Sequence, residues 1–111
     1  MATSRRRLSS VAKAQPRQDL VDYAREVIRA EAEAVLQVAG RINGSFSRAV
    51  EMVLTCSGRV VVTGMGKPGF IAQKLSATFA STGTPSLYLH PAEALHGDLG
   101  RLVPGDLVMA L

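Results

Sequence analysis

The chain reads as an α/β domain, a parallel sheet entered through two helices. Three observations predict this. Val60-Val61-Val62 is a continuous apolar run rather than an alternating one, the pattern of a strand covered on both faces, and Leu87-Tyr88-Leu89 and Leu107-Val108-Met109-Ala110-Leu111 repeat it. Residues 69–82, between the first two runs, carry helical periodicity, so the order strand, helix, strand predicts a right-handed crossover. The first run opens into a glycine turn, Gly64-Met65-Gly66-Lys67-Pro68-Gly69, at the carboxyl edge where open α/β sheets bind their ligands.

Each element follows from local pattern. Residues 1–18, MATSRRRLSSVAKAQPRQ, are rich in Arg and Ser and free of acids. That composition superficially matches an organelle transit peptide, but the apolar residues form no sustained amphipathic face, so a disordered basic extension is expected, with the domain spanning residues 19–111. From Leu20 onward, Leu20, Ala24, Val27, Ile28, Val35, Val38 and Ile42 recur at helical spacing, and Asp19 is placed to cap the helix. Asn43-Gly44 ends it. Ser45 is then expected to cap a second helix with Phe46, Ala49, Val50, Val53 and Leu54 on its apolar face, stopped by Gly58. In the helix between the strands, Ile71, Leu75 and Phe79 stand at i, i+4 and i+8, and Ala72, Ser76 and Ala80 are small enough for close packing.

Composition removes several function classes. The 111 residues allow one domain. The net charge of +4 is concentrated in Arg5, Arg6, Arg7, Lys13 and Arg17, all before the first acid, and residues 19–111 alone sum to −1. With no Trp and no basic stretch interleaved with Phe or Tyr, the folded part is not built for nucleic acid. No apolar run approaches the roughly 20 residues of a membrane span. Cys56 is the only cysteine, which excludes an internal disulfide framework and a multi-cysteine zinc site and suits a reducing cytoplasm. Late in a helical pattern, it reads as a small buried hydrophobe.

Gly64-Met65-Gly66-Lys67-Pro68-Gly69 is a literal G-x-G-x-x-G, yet the second strand ends in His90-Pro91 rather than the acid a dinucleotide ribose requires. The phosphate-binding P-loop fails too, because Pro68 follows the lysine where Ser or Thr is needed. What remains is physical. Gly64 and Gly66 allow close backbone approach, and Lys67 brings a mobile ammonium to a helix N-terminus, a combination suited to an anionic sugar or phosphate. The second constellation is His96-Gly97-Asp98, in a loop after the second strand on the same sheet edge. His96 can act as an acid or base, ligate a metal, or anchor the loop by a hydrogen bond. Glu93 and Asp98 are candidate bases or substrate ligands, while His90 at the strand end reads as structural.

The combination of GMGK, ATFASTGTPS and HPAEALHGDLG resembles the sugar isomerase (SIS) domain family, closely over residues 59–111, and within it the arabinose-5-phosphate isomerases. The resemblance implies a three-layer α/β sandwich around a parallel sheet, no cofactor, a homo-oligomer, and reversible interconversion of D-arabinose 5-phosphate and D-ribulose 5-phosphate, a step toward Kdo and lipopolysaccharide. It implies a substrate-binding or catalytic role for Lys67 and His96, binding roles for Gly64, Gly66, Glu93 and Asp98, and an inhibitory metal at His96. The family turn usually reads GKSG followed by His, so Pro68 and Phe70 are departures. The family's Ser-x-Ser-Gly phosphate loop is expected directly after Leu111, making these residues the N-terminal half of the domain. The expectation from a different class is a noncatalytic SIS module that binds a phosphosugar and regulates a partner.

Overall fold

The computed structural model describes residues 17–111. The first sixteen residues of the expected basic extension lie outside the described residues. Two compact units divide at Ile42 and Asn43.

The first unit holds α1, Arg17–Ala39, an uninterrupted 23-residue helix with no internal Gly or Pro. It starts three residues earlier than the sequence predicts, so Asp19 sits inside the first turn instead of capping it. There its carboxylate still complements the positive end of the helix dipole. Asp22 and Arg25 pair at 3.2 Å one turn on, and the helix ends before Gly40, leaving Ile42 outside it.

The second unit begins with α2, Gly44–Leu54. Asn43, not Ser45, is its cap: an extended backbone (φ −145°, ψ −168°) brings the Asn43 side chain to the Ser45 N–H at 2.9 Å. Asn serves either end of a helix, and here its short carbonyl takes the N-terminal role. The other end closes at Thr55, whose hydroxyl donates to the Glu51 carbonyl at 2.7 Å, so the helix stops before Gly58 is needed. Cys56 therefore lies past the helix, half-buried rather than buried, its thiol 3.3 Å from the Gly105 carbonyl.

Three strands follow: β1 (Val60–Thr63), β2 (Ser86–Leu89) and β3 (Leu107–Ala110). They form a parallel sheet in the order β2-β1-β3, with Val61 opposite Leu87 on one side and Val108 on the other. The central place of β1 explains its composition, since Val60, Val61 and Val62 are fully buried. On β3 the expected two-sided cover is absent among the described residues. Leu107 and Met109 are half-buried on the face shared with Val60 and Val62, whereas Val108 and Ala110 are exposed on the other.

Between β1 and β2 runs α3, Lys67–Ser81. Its buried stripe is Gly69, Ala72 and Ser76, and Leu75 and Phe79 flank the core cluster of Val60, Val62 and Ala72. Ile71, predicted on the core face, is instead 61% exposed. The small stripe draws the helix so close to the sheet that large side chains fit only beside the contact line. Ser76 and Ser86 hydroxyls meet across it at 2.9 Å, and Ser86 donates to the Val60 carbonyl. After β2 come a short helix α4 (Pro91–Leu95) and a 3₁₀ turn over Asp98–Arg101, packed on one another.

The amino edge of the sheet is closed by an ion pair. Asp106, with a side chain 3% exposed, accepts from the Arg59 backbone N–H at 2.8 Å, from Arg59 Nη2 at 2.7 Å and from the Val103 N–H at 3.0 Å. Hydrogen bonds from Arg59 hold the Asp106 carboxyl well below the usual carboxylate range. This clamp joins the entrance of β1 to the loop before β3.

Candidate functional site

The predicted site residues collect beyond the carboxyl ends of two neighbouring strands, where Thr63 of β1 pairs in register with Leu89 of β2 and also donates its hydroxyl to the Leu89 carbonyl. Past Thr63 the chain turns through Gly64, Met65 and Gly66 into α3. Gly66 is the N-cap with φ 69° and ψ −133°, a conformation open to glycine, and it offers no side chain to close the helix end. Lys67 is thus the first residue of α3 rather than a loop residue, exposed, with Pro68 behind it in the first turn. The open N-terminus and the ammonium together present positive charge to the space beyond the sheet.

The turn is held from behind. A Cβ at Gly69 would lie 2.7 Å from the Gly64 carbonyl oxygen and 3.0 Å from the Tyr88 hydroxyl, so only glycine lets α3 start this near the strand end. Tyr88 donates to that same Gly64 carbonyl at 2.8 Å. Sequence reasoning missed this role. The available signal was a phenol inside an otherwise apolar strand, since a half-buried Tyr hydroxyl requires a partner.

Past Leu89, His90 is the N-cap of α4, its Nδ1 accepting from the Ala92 N–H at 3.1 Å, which agrees with the structural role read from its position. The Tyr88 and His90 rings meet edge to face, 6.3 Å between centroids at 89°. His96 is the C-cap, and its Nδ1 lies 2.8 Å from the Ala92 carbonyl oxygen. Because a carbonyl can only accept, that nitrogen carries a proton, and in the neutral ring Nε2 is left with a lone pair able to take a proton or ligate a cation. Glu93 is exposed in the first turn of α4, and Asp98, half-buried, pairs with Arg101 at 3.6 Å. The structure therefore brings Gly64, Gly66 and Lys67 together in one turn, and Glu93, His96 and Asp98 together in the next loop, on one sheet edge. Among the described residues no hydrogen bond or ion pair joins Lys67 to Glu93, His96 or Asp98, and no cluster of three or more His, Cys, Asp or Glu forms a metal site.

One cavity adjoins this edge and another lies away from it. An apolar groove lined by Phe46, Val50, Val53, Phe79, Thr82 and Met109 lies toward the far end of α3 and touches none of these groups. A shallow cleft bounded by Lys67, Pro68, Ile71 and Leu111 adjoins the turn itself.

The SIS domain family model matches residues 53–111, more than half of the chain, and takes in both constellations. The chain belongs to the SIS domain family. Relatives named arabinose 5-phosphate isomerase KdsD match it at 50% identity over 97 residues in Yersinia pestis and 48% over 97 residues in Escherichia coli K12. Each match takes in 87% of this chain and 30% of the relative, so the chain spans less than a third of their length. Among solved structures, the Escherichia coli CFT073 protein c3406 in complex with arabinose 5-phosphate is similar at a TM-score of 0.81 and 41% identity, over 86% of this chain and 51% of that one. The SIS fold expected from GMGK and HPAEALHGDLG is thereby established. No helix among the described residues is long and apolar enough to cross a membrane.

Proposed function

We propose that these residues form part of the active site of a sugar-phosphate aldose–ketose isomerase, acting on D-arabinose 5-phosphate and D-ribulose 5-phosphate. The observation that carries the reading is the placement of the Lys67 turn and the His96 loop beyond the in-register ends of β1 and β2, in a chain about half identical to named arabinose 5-phosphate isomerases. The reaction moves one proton between C1 and C2 and another between their oxygens, through an enediol. The Lys67 ammonium and the open N-terminus of α3 suit the negative charge that develops on substrate oxygen. The bare His96 Nε2 suits proton transfer. Gly64 and Gly66 let the backbone approach, and Glu93 and Asp98 supply acceptors for sugar hydroxyls.

The test is turnover by the intact protein across a panel of aldose phosphates, coupled to detection of the ketose. Conversion of D-arabinose 5-phosphate, falling by about 10²–10³ in kcat in Lys67→Ala, is the expected result. Conversion of other sugar phosphates alone makes the named substrate wrong. Tight binding with no turnover identifies a noncatalytic phosphosugar module instead.

A further inference from the structure

Helix α4 has five residues, too few to be stable by its own backbone bonds, and an imidazole stands at each end. Both rings address the same residue. His90 Nδ1 accepts from the Ala92 N–H at 3.1 Å, and His96 Nδ1 donates to the Ala92 carbonyl at 2.8 Å. The His96 backbone N–H bonds to Glu93, so the Ala92 carbonyl is one of the orphan acceptors of a helix end, left for a side chain to satisfy. The two histidines are consequently held in opposite tautomers, His90 with its proton on Nε2 and His96 with its proton on Nδ1. Tyr88 fixes the His90 ring edge to face at 6.3 Å, while its hydroxyl holds the Gly64 turn.

We propose that His90 is a positioning residue for His96: by capping Ala92 it keeps the Ala92 carbonyl where it accepts from His96 Nδ1, and so keeps the His96 Nε2 lone pair bare. Without the cap the first turn of α4 frays, the carbonyl leaves its place, and the His96 ring returns to the preference of free imidazole for a proton on Nε2. In that form Nε2 can neither accept a proton nor bind a cation. A hydrogen-bond partner that fixes the tautomer of a working imidazole is the same device that outer partners supply to metal-bound histidines.

The tautomer is independent of the isomerase reading, and only the catalytic consequence rests on it. Long-range proton–nitrogen correlation spectra of the nitrogen-labelled intact protein report each ring directly, with His90→Asn and His96→Gln assigning the two signals. The expected result is a proton on Nδ1 of His96 and on Nε2 of His90 in the unsubstituted protein. His90→Ala should move His96 to the Nε2-protonated pattern, and His90→Asn, which restores a cap acceptor, should return it. A His96 ring already protonated on Nε2, or one that ignores His90→Ala, overturns the proposal. If the Ala variant does not fold, the unsubstituted protein and His90→Asn still decide, because loss of the Nδ1 proton in His90→Asn also overturns it. Under the isomerase reading His90→Ala lowers kcat about tenfold or more at unchanged KM, part of the roughly 10²–10⁴ a general acid or base supplies, and His90→Asn recovers most of it. A tautomer that responds while kcat does not would count against the isomerase reading alone.

Discussion

The Tyr88 hydroxyl reaches the Gly64 carbonyl at 2.8 Å while its ring meets His90, so one strand residue bears on both halves of the proposed site. Removing only the oxygen separates these contributions. Tyr88→Phe keeps the ring contact and leaves the buried Gly64 carbonyl without this donor, at a cost of about 1 kcal/mol. We expect a lower denaturation midpoint and a raised KM for the sugar phosphate, because the turn carrying Lys67 loosens. An unchanged KM would show that Gly66 and Gly69 hold the turn without Tyr88. At this scale the sequence was legible for position: the motifs holding Lys67 and His96 stand past the ends of β1 and β2, as their spacing predicts. It was not legible for Tyr88, whose value lies in a partner 24 positions away that only the parallel register brings near.

Element by element, helices and strands were legible from periodicity, but their ends and contact faces were not. Capping is decided by one side chain reaching one N–H, and Asn43 does this although Ser45 is an equally suitable residue type. Asn43→Ala should lower stability by about 1 kcal/mol, read from the urea midpoint, whereas Ser45→Ala should change it little. Of the α3 residues read as facing the core, Ala72, Ser76, Leu75 and Phe79 do so and Ile71 and Ala80 do not, because the close contact follows the small stripe and leaves the end of the large one outside it. Ala72 is fully buried and Ile71 is 61% exposed. Ala72→Leu is accordingly expected to overpack the contact and cost about 1–3 kcal/mol, and Ile71→Ser to stay within about 0.5 kcal/mol, measured on the same curves. The reverse ranking would return Ile71 to the core.

Over the whole sheet, charge is divided between two edges. The carboxyl edge carries the open α3 N-terminus and Lys67, and the amino edge carries the Arg59–Asp106 clamp. The clamp was not anticipated, since two opposite charges 47 positions apart acquire a relation only when β1 and β3 pair. Its effect on stability has a definite sign. The Asp106 carboxyl has a lower pKa folded than unfolded, so its contribution is complete above the unfolded value of about 3.9 and is lost as pH falls below it. Thermal melts should therefore show Asp106→Asn less stable than the unsubstituted protein at neutral pH, with the gap constant down to about pH 4 and closing only in stronger acid. A gap that closes near neutrality would contradict the clamp.

The proposed activity itself is tested most directly by following D-arabinose 5-phosphate labelled with carbon-13 at C2 in the presence of the intact protein. The expected result is a labelled ketone carbonyl, the C2 of D-ribulose 5-phosphate, growing to an equilibrium ratio at a rate nearly abolished in Lys67→Ala. Shifts of the sugar signals on binding, with no carbonyl carbon appearing at any time, would contradict it.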